Sequence, residues 1–126
     1  MSVRQHTAPA RLTQDVVHYI AREAVRRYGP IEPRLPEKLQ RNIRRNFGKA
    51  VPREDILRLA AHYKDIYARA REILPRFLRP QAGQYPDGAD VRGGAFLAAL
   101  SRSYPKEPAK VLWIVSWYAV HYEYLR

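Results

Sequence analysis

The sequence contains no cysteine, which excludes a disulfide framework, a thiolate metal site and a cysteine nucleophile. Its four histidines, His6, His18, His62 and His121, lack any metal-ligand spacing such as His-Glu-x-x-His. Arg58 and His62 are too close in sequence to form the Arg-x4–6-His pattern of helical ribonucleases. Gly93-Gly94 lacks the lysine and serine of a phosphate-cradling loop. The paired carboxylates Glu54-Asp55 and Asp87/Asp90 sit at cap and turn positions, where they already have a structural role. No apolar run is long enough to cross a bilayer; the best, Val111–Val120, is interrupted by Ser116. The first residues show no apolar leader core. These absences lead to the expectation of a soluble, cytoplasmic, non-catalytic protein with no cofactor, metal, membrane association or small-molecule substrate.

Acid is also scarce. Twelve Asp and Glu face 23 Lys and Arg, for a net charge of +11 and a pI near 10.3, and 18 of the cations are arginine. Such a balance is the electrostatic footprint of a nucleic-acid binder, and arginine offers planar, multi-donor contacts to phosphate. The competing explanation is a codon bias that favours arginine everywhere. The charge is concentrated regionally: residues 34–79 hold 13 cations and 5 acids.

With 126 residues and 46% hydrophobic composition, the chain is expected to form one domain with its own core. The reading is a flexible N-terminal segment over 1–12 and a single all-α domain over 13–126, a compact five-helix bundle. A first helix is expected over Gln14–Tyr28, capped by Thr13 and stopped by Gly29-Pro30, with Val17, Ile20, Ala24 and Tyr28 inward. Pro36 suits the first turn of a second helix that ends at Phe47 before Gly48. Pro52 opens a third. Its seam of Ile56, Leu59, Tyr63, Ile66, Ala70, Ile73 and Phe77 alternates three and four residues apart, and Pro75 breaks it near Leu74. Two prolines and four glycines make 80–94 a long loop. A short helix, Ala95–Tyr104, should bury Phe96, Leu97 and Leu100. The last, about Ala109–Leu125, is apolar almost all round, so it is a central core helix or one covered by another subunit. Its tyrosines, Tyr118, Tyr122 and Tyr124, read as core or interface residues rather than base-stacking ones. Strand signals are weak and no internal repeat is evident.

The second helix carries the functional signal. Leu39, Ile43 and Phe47 define one side, and Lys38, Arg41, Arg44 and Arg45 cluster roughly 170° away. Asn42, Asn46 and Lys49 add donors, and only Glu37 offsets the charge locally. A solvated face usually mixes signs, with Glu placed to pair with Lys or Arg. A face of one sign repels itself, a cost that stability alone does not explain, whereas it can track a phosphate backbone. Arg69 and Arg71 on the third helix are added as candidates for a shared basic surface, although Asp65 and Glu72 lie among the cations there.

The order of elements resembles the small subunit of type III-A (Csm) CRISPR effector complexes. The residues that carry the likeness are Tyr19-Ile20-Ala21-Arg22-Glu23-Ala24, Leu35 through Arg41-Asn42, Ile66-Tyr67-Ala68-Arg69-Ala70-Arg71-Glu72, and an aromatic last helix from Trp113 to Tyr124. Pro36-Glu37 stand where the family has a threonine pair, Ala70 stands where it has glycine, and 80–94 is richer in proline and glycine. The resemblance implies a non-catalytic subunit of an RNA-guided ribonucleoprotein. Its copies would stack head to tail beside the backbone and large subunits and contact the guide RNA–target RNA duplex through phosphates. It places Arg41 and Arg71 on that channel; Lys38, Arg44, Arg45, Lys49 and Arg69 come from the residues themselves. Two other readings stay open. One is a free-standing DNA- or RNA-binding regulator of phage or plasmid origin, with Phe47–Pro52 as a loose turn between helices. The other is a helical adaptor that binds only protein.

Overall fold

A computed structural model of the chain describes residues 12–27, 29–77 and 93–122. It is all-α: α1 is Gln14–Val25, α2 Leu35–Phe47, α3 Arg53–Ile73, α4 Gly93–Ser103 and α5 Ala109–Val120. A 3₁₀ turn, Leu74–Phe77, follows α3, and no strand occurs among the described residues. The N-terminal segment through Arg11, the anchor expected at Tyr28, all of the 80–94 loop but its last two residues, and the end of the last helix at Tyr124 and Leu125 lie outside the described residues. Gly93 and Gly94, expected to close that loop, instead begin α4.

The chain divides within α3, between Lys64 and Asp65, into two compact units. In the first, the side-chain oxygen of Thr13 accepts from the Val16 amide at 3.4 Å and so caps α1. Val16, Val17, Ile20, Ala21, Ala24 and Val25 are buried along it. Leu35, Leu39 and Ile43 are the buried aliphatic residues of α2; each such side chain contributes about 1.5–3 kcal/mol by leaving water. Two polar contacts fix how α2 lies. Asn42 Nδ2 donates to the Tyr19 hydroxyl of α1 at 3.0 Å, and Gln40 Nε2 donates to the Val51 carbonyl at 2.9 Å. The Tyr19 and Phe47 rings meet at 5.7 Å.

Gly48 ends α2 in the left-handed region at φ 66°, its amide donating to the Arg44 carbonyl at 3.1 Å. Only a residue without a Cβ adopts that geometry at no cost.

In the second unit, Ile66, Tyr67, Ala70 and Leu74 are buried on α3 and the turn after it, and Phe96 and Leu100 on α4. The helix gives way at Leu74, one residue before Pro75, as the missing amide requires. Phe77 then meets Phe96 at 5.8 Å. Leu97 and Ile73, expected in the core, are only half-buried; Leu97 lies about 80° around α4 from the middle of the side that Phe96 and Leu100 bury. Among the described residues no helix is long and apolar enough to cross a membrane.

Candidate nucleic-acid interface

The apolar side of α2 goes into the first unit's core, so geometry turns the other side outward. Lys38, Arg41, Arg44 and Arg45 are all exposed, as is Lys49 just past the glycine cap. The side chains of Lys38, Arg44 and Lys49 make no hydrogen bond or ion pair among the described residues. Arg45 Nη2 donates to the Asn42 side-chain oxygen at 3.0 Å, a neutral acceptor that orients the guanidinium without cancelling its charge. Arg41 has the Glu37 carboxylate in its field.

Glu37 is the one acid on the helix, and the structure shows what becomes of it. Its carboxylate accepts from Arg53 Nε at the start of α3. That hydrogen bond, more than any other cause, holds its carboxyl below the ordinary range. A partner from outside α2 thus hydrogen-bonds the acid, which leaves Arg41 in its field and Lys38, Arg44 and Arg45 with no carboxylate partner among the described residues.

Arg34, which the sequence reading left out, belongs with them. It is the exposed N-cap residue of α2 and stands four residues before Lys38. Arg34, Lys38, Arg41 and Arg45 therefore run along one side at spacings of four, three and four. At 1.5 Å per residue the row extends about 16 Å, roughly five nucleotide steps of 3.4 Å along one strand. Arg53 was also passed over. Its pairing with Glu37 spans 16 residues, and no local pattern announces it. Arg34 could have been found by extending the helical spacing one turn back.

A helix-stabilising role accounts for only part of this row. Cations in the last turn complement the helix dipole, which gives Arg44 and Arg45 a structural use. Arg34 and Lys38 occupy the opposite end, where the dipole disfavours positive charge, and stability gives them no reason to be there.

Arg69 and Arg71 lie in the second unit and are both exposed. Two residues apart on α3, they flank its buried stripe on opposite sides. Arg69 is paired with Glu72 at 3.4 Å, with both side chains largely exposed. The structure thus brings Lys38, Arg41, Arg44 and Arg45 together on one helix with Lys49 just past its end, whereas Arg69 and Arg71 belong to α3 in the second unit.

No family model, curated protein or solved structure matches this chain.

The row is suited to binding a polyanion through its backbone. Guanidinium and ammonium groups at successive helical turns neutralise phosphates and release their counterions, whatever the base sequence. Among the described residues no group of three or more His, Asp or Glu is placed to hold a metal ion.

Proposed function

We propose that the chain binds nucleic acid, RNA foremost, through phosphate contacts along α2 and catalyses no reaction. The observation that carries this reading is the exposed row Arg34, Lys38, Arg41 and Arg45, joined by Arg44 and Lys49, whose single local acid is engaged by Arg53. Its more specific form is a small subunit of an RNA-guided CRISPR ribonucleoprotein of type III-A. There, copies of the chain would line the guide–target duplex beside the backbone and large subunits. That form is supported by the sequence resemblance alone, in segments that fall on α1, α2 and α3 and in the aromatic stretch that begins on α5. A cytoplasmic location goes with it.

The deciding experiment measures anisotropy of labelled single-stranded and duplex RNA at 50 and 200 mM salt. A protein that contacts six phosphates loses roughly a thousandfold in affinity across that range. Arg41→Ala, Arg44→Ala and Arg45→Ala combined should abolish retention of every RNA alike, with far-ultraviolet circular dichroism unchanged. Binding that ignores salt, or a triple variant that binds as well as the parent, refutes the reading. For the specific form, genes for a polymerase-like large subunit and a repeat array beside this one would support it.

A further inference from the structure

The chain has two tryptophans, Trp113 and Trp117, and both are left in solvent on the same side of α5. They are 49% and 41% exposed, while Ser116 and Ala119 of the same helix are buried. A packing-driven arrangement would do the reverse, since an indole has far more apolar area to hide than a serine or an alanine. Lys110, Trp113, Trp117 and His121 follow one another at spacings of three, four and four, so they share a face. Lys110 is exposed, as is Lys106 in the turn before the helix. No acid occurs anywhere in α5; the acid nearest before it in sequence is Glu107.

The rings are held in different ways. His121 stacks on Trp117 with centroids 3.5 Å apart and planes 24° apart, and its Nδ1 lies 3.0 Å from the Trp117 carbonyl oxygen. Tyr118 packs edge-on to the same indole at 4.8 Å. One face of Trp117 is therefore covered and the ring is oriented in advance. Trp113 makes no ring contact among the described residues.

Size and charge select the occupant. Two half-exposed indoles offer roughly 200 Å² in all, against about 800 Å² per partner in a stable protein interface, so a second copy of the chain gains too little there. A flat ring carried on an anionic backbone fits better. It needs an aromatic surface the size of an indole, with a cation one turn away for the adjoining phosphate.

We infer that the Trp113–Trp117 face of α5 is a stacking platform for unpaired bases of single-stranded nucleic acid, with Lys110 at the neighbouring phosphate. The inference rests on the nucleic-acid reading of α2 and adds to it a preference for unpaired strands, whose bases alone are free to stack on a side chain.

Because both tryptophans lie on this face, all indole emission reports on it. The full chain is titrated with a single-stranded oligouridylate of about ten nucleotides, within the usual site size, with an abasic strand of equal length, and with a duplex. The oligouridylate should quench the emission, while the abasic strand and the duplex bind and leave it unchanged. By anisotropy, Trp113→Ala and Trp117→Ala should each weaken single-strand binding by about fivefold or more. The corresponding phenylalanine variants should recover most of it, and duplex affinity should not move. Equal quenching by the abasic strand overturns the inference. So does undiminished single-strand affinity in the double alanine variant, or a dimer in sedimentation that this variant splits. Failure of the α2 reading looks different: the abasic strand and the duplex then do not bind at all.

Discussion

Two clusters of cations in the first unit put the same residue types to opposite uses. At the C-terminal end of α1, Arg26 and Arg27 close on the buried Glu23 at 3.2 and 2.5 Å, and Arg27 Nη1 also donates to the Glu23 carbonyl at 2.9 Å. Lys64 reaches from α3 to donate to the carbonyls of Arg27 and Gly29 at 2.7 and 2.6 Å. These cations satisfy a carboxylate, one carbonyl in the last turn of α1 and two in the turn that follows it. On α2, the exposed row has one carboxylate beside it, and Arg53 occupies that. Net charge alone does not separate the two clusters. What separates them is whether each cation's hydrogen-bonding capacity is used inside the fold.

The contrast breaks most clearly at α2. Each charge-assisted phosphate contact contributes about 1.5–3 kcal/mol. The combined Arg41→Ala, Arg44→Ala and Arg45→Ala variant should therefore lose about a thousandfold or more in RNA affinity, with its thermal midpoint nearly unchanged.

Lys64→Met tests the other cluster and should do the opposite. Two carbonyls lose their donor, which lowers stability by about 1–3 kcal/mol in denaturant unfolding, while RNA affinity stays within twofold of the parent, roughly the scatter of such contacts. The pH profile sharpens this. Burial, and then the charge of Arg27, hold the Lys64 ammonium below its ordinary value of 10.5. Just below that pH the unfolded chain binds the proton more fully than the folded one, so this residue makes stability rise as pH climbs toward 10.5. The methionine variant should lack that rise.

Gly48→Ala touches both sides of the comparison. A side chain at φ 66° costs about 1–2 kcal/mol, and the strain falls on the turn that carries Arg44, Arg45 and Lys49. Calorimetry should show the lower midpoint, and RNA binding should weaken only as far as the end of α2 frays.

The smallest effect is a gain. Glu37→Gln removes the acid and releases Arg53, which should tighten RNA binding a few-fold and steepen the salt slope by roughly one unit. A weaker complex would mean that the Glu37–Arg53 pair positions the helix rather than merely holding a charge.

Much of this was legible before any coordinates. Thr13, Gly48 and Pro75 mark helix ends by local chemistry, and the three-and-four spacing from Ile56 to Ala70 names the buried side of α3, because capping, proline geometry and helical period act over a few residues. The outward direction of Lys38, Arg41, Arg44 and Arg45 follows from the same periodicity. The division between Lys64 and Asp65 left no mark: it falls inside a continuous helix with no glycine, proline or change of composition. The tryptophans were also opaque, since α5 is apolar on nearly every side and its pattern does not say which side is left over.

Sequence alone determined the all-α class, the helix ends marked by Thr13, Gly48 and Pro75 and the sign of the charge along α2, because each is set by residues within a turn or two of one another; it did not determine that α1 stops at Val25 or that α4 starts at Gly93. Tertiary structure decided which cations are spent and which are available. Glu37 meets Arg53 across 16 residues and Lys64 meets the turn after α1 across 35 and 37, and contacts at that range exist only once the helices have packed. The same holds for the exposed indoles of α5: burial belongs to the whole unit, and periodicity alone does not specify it.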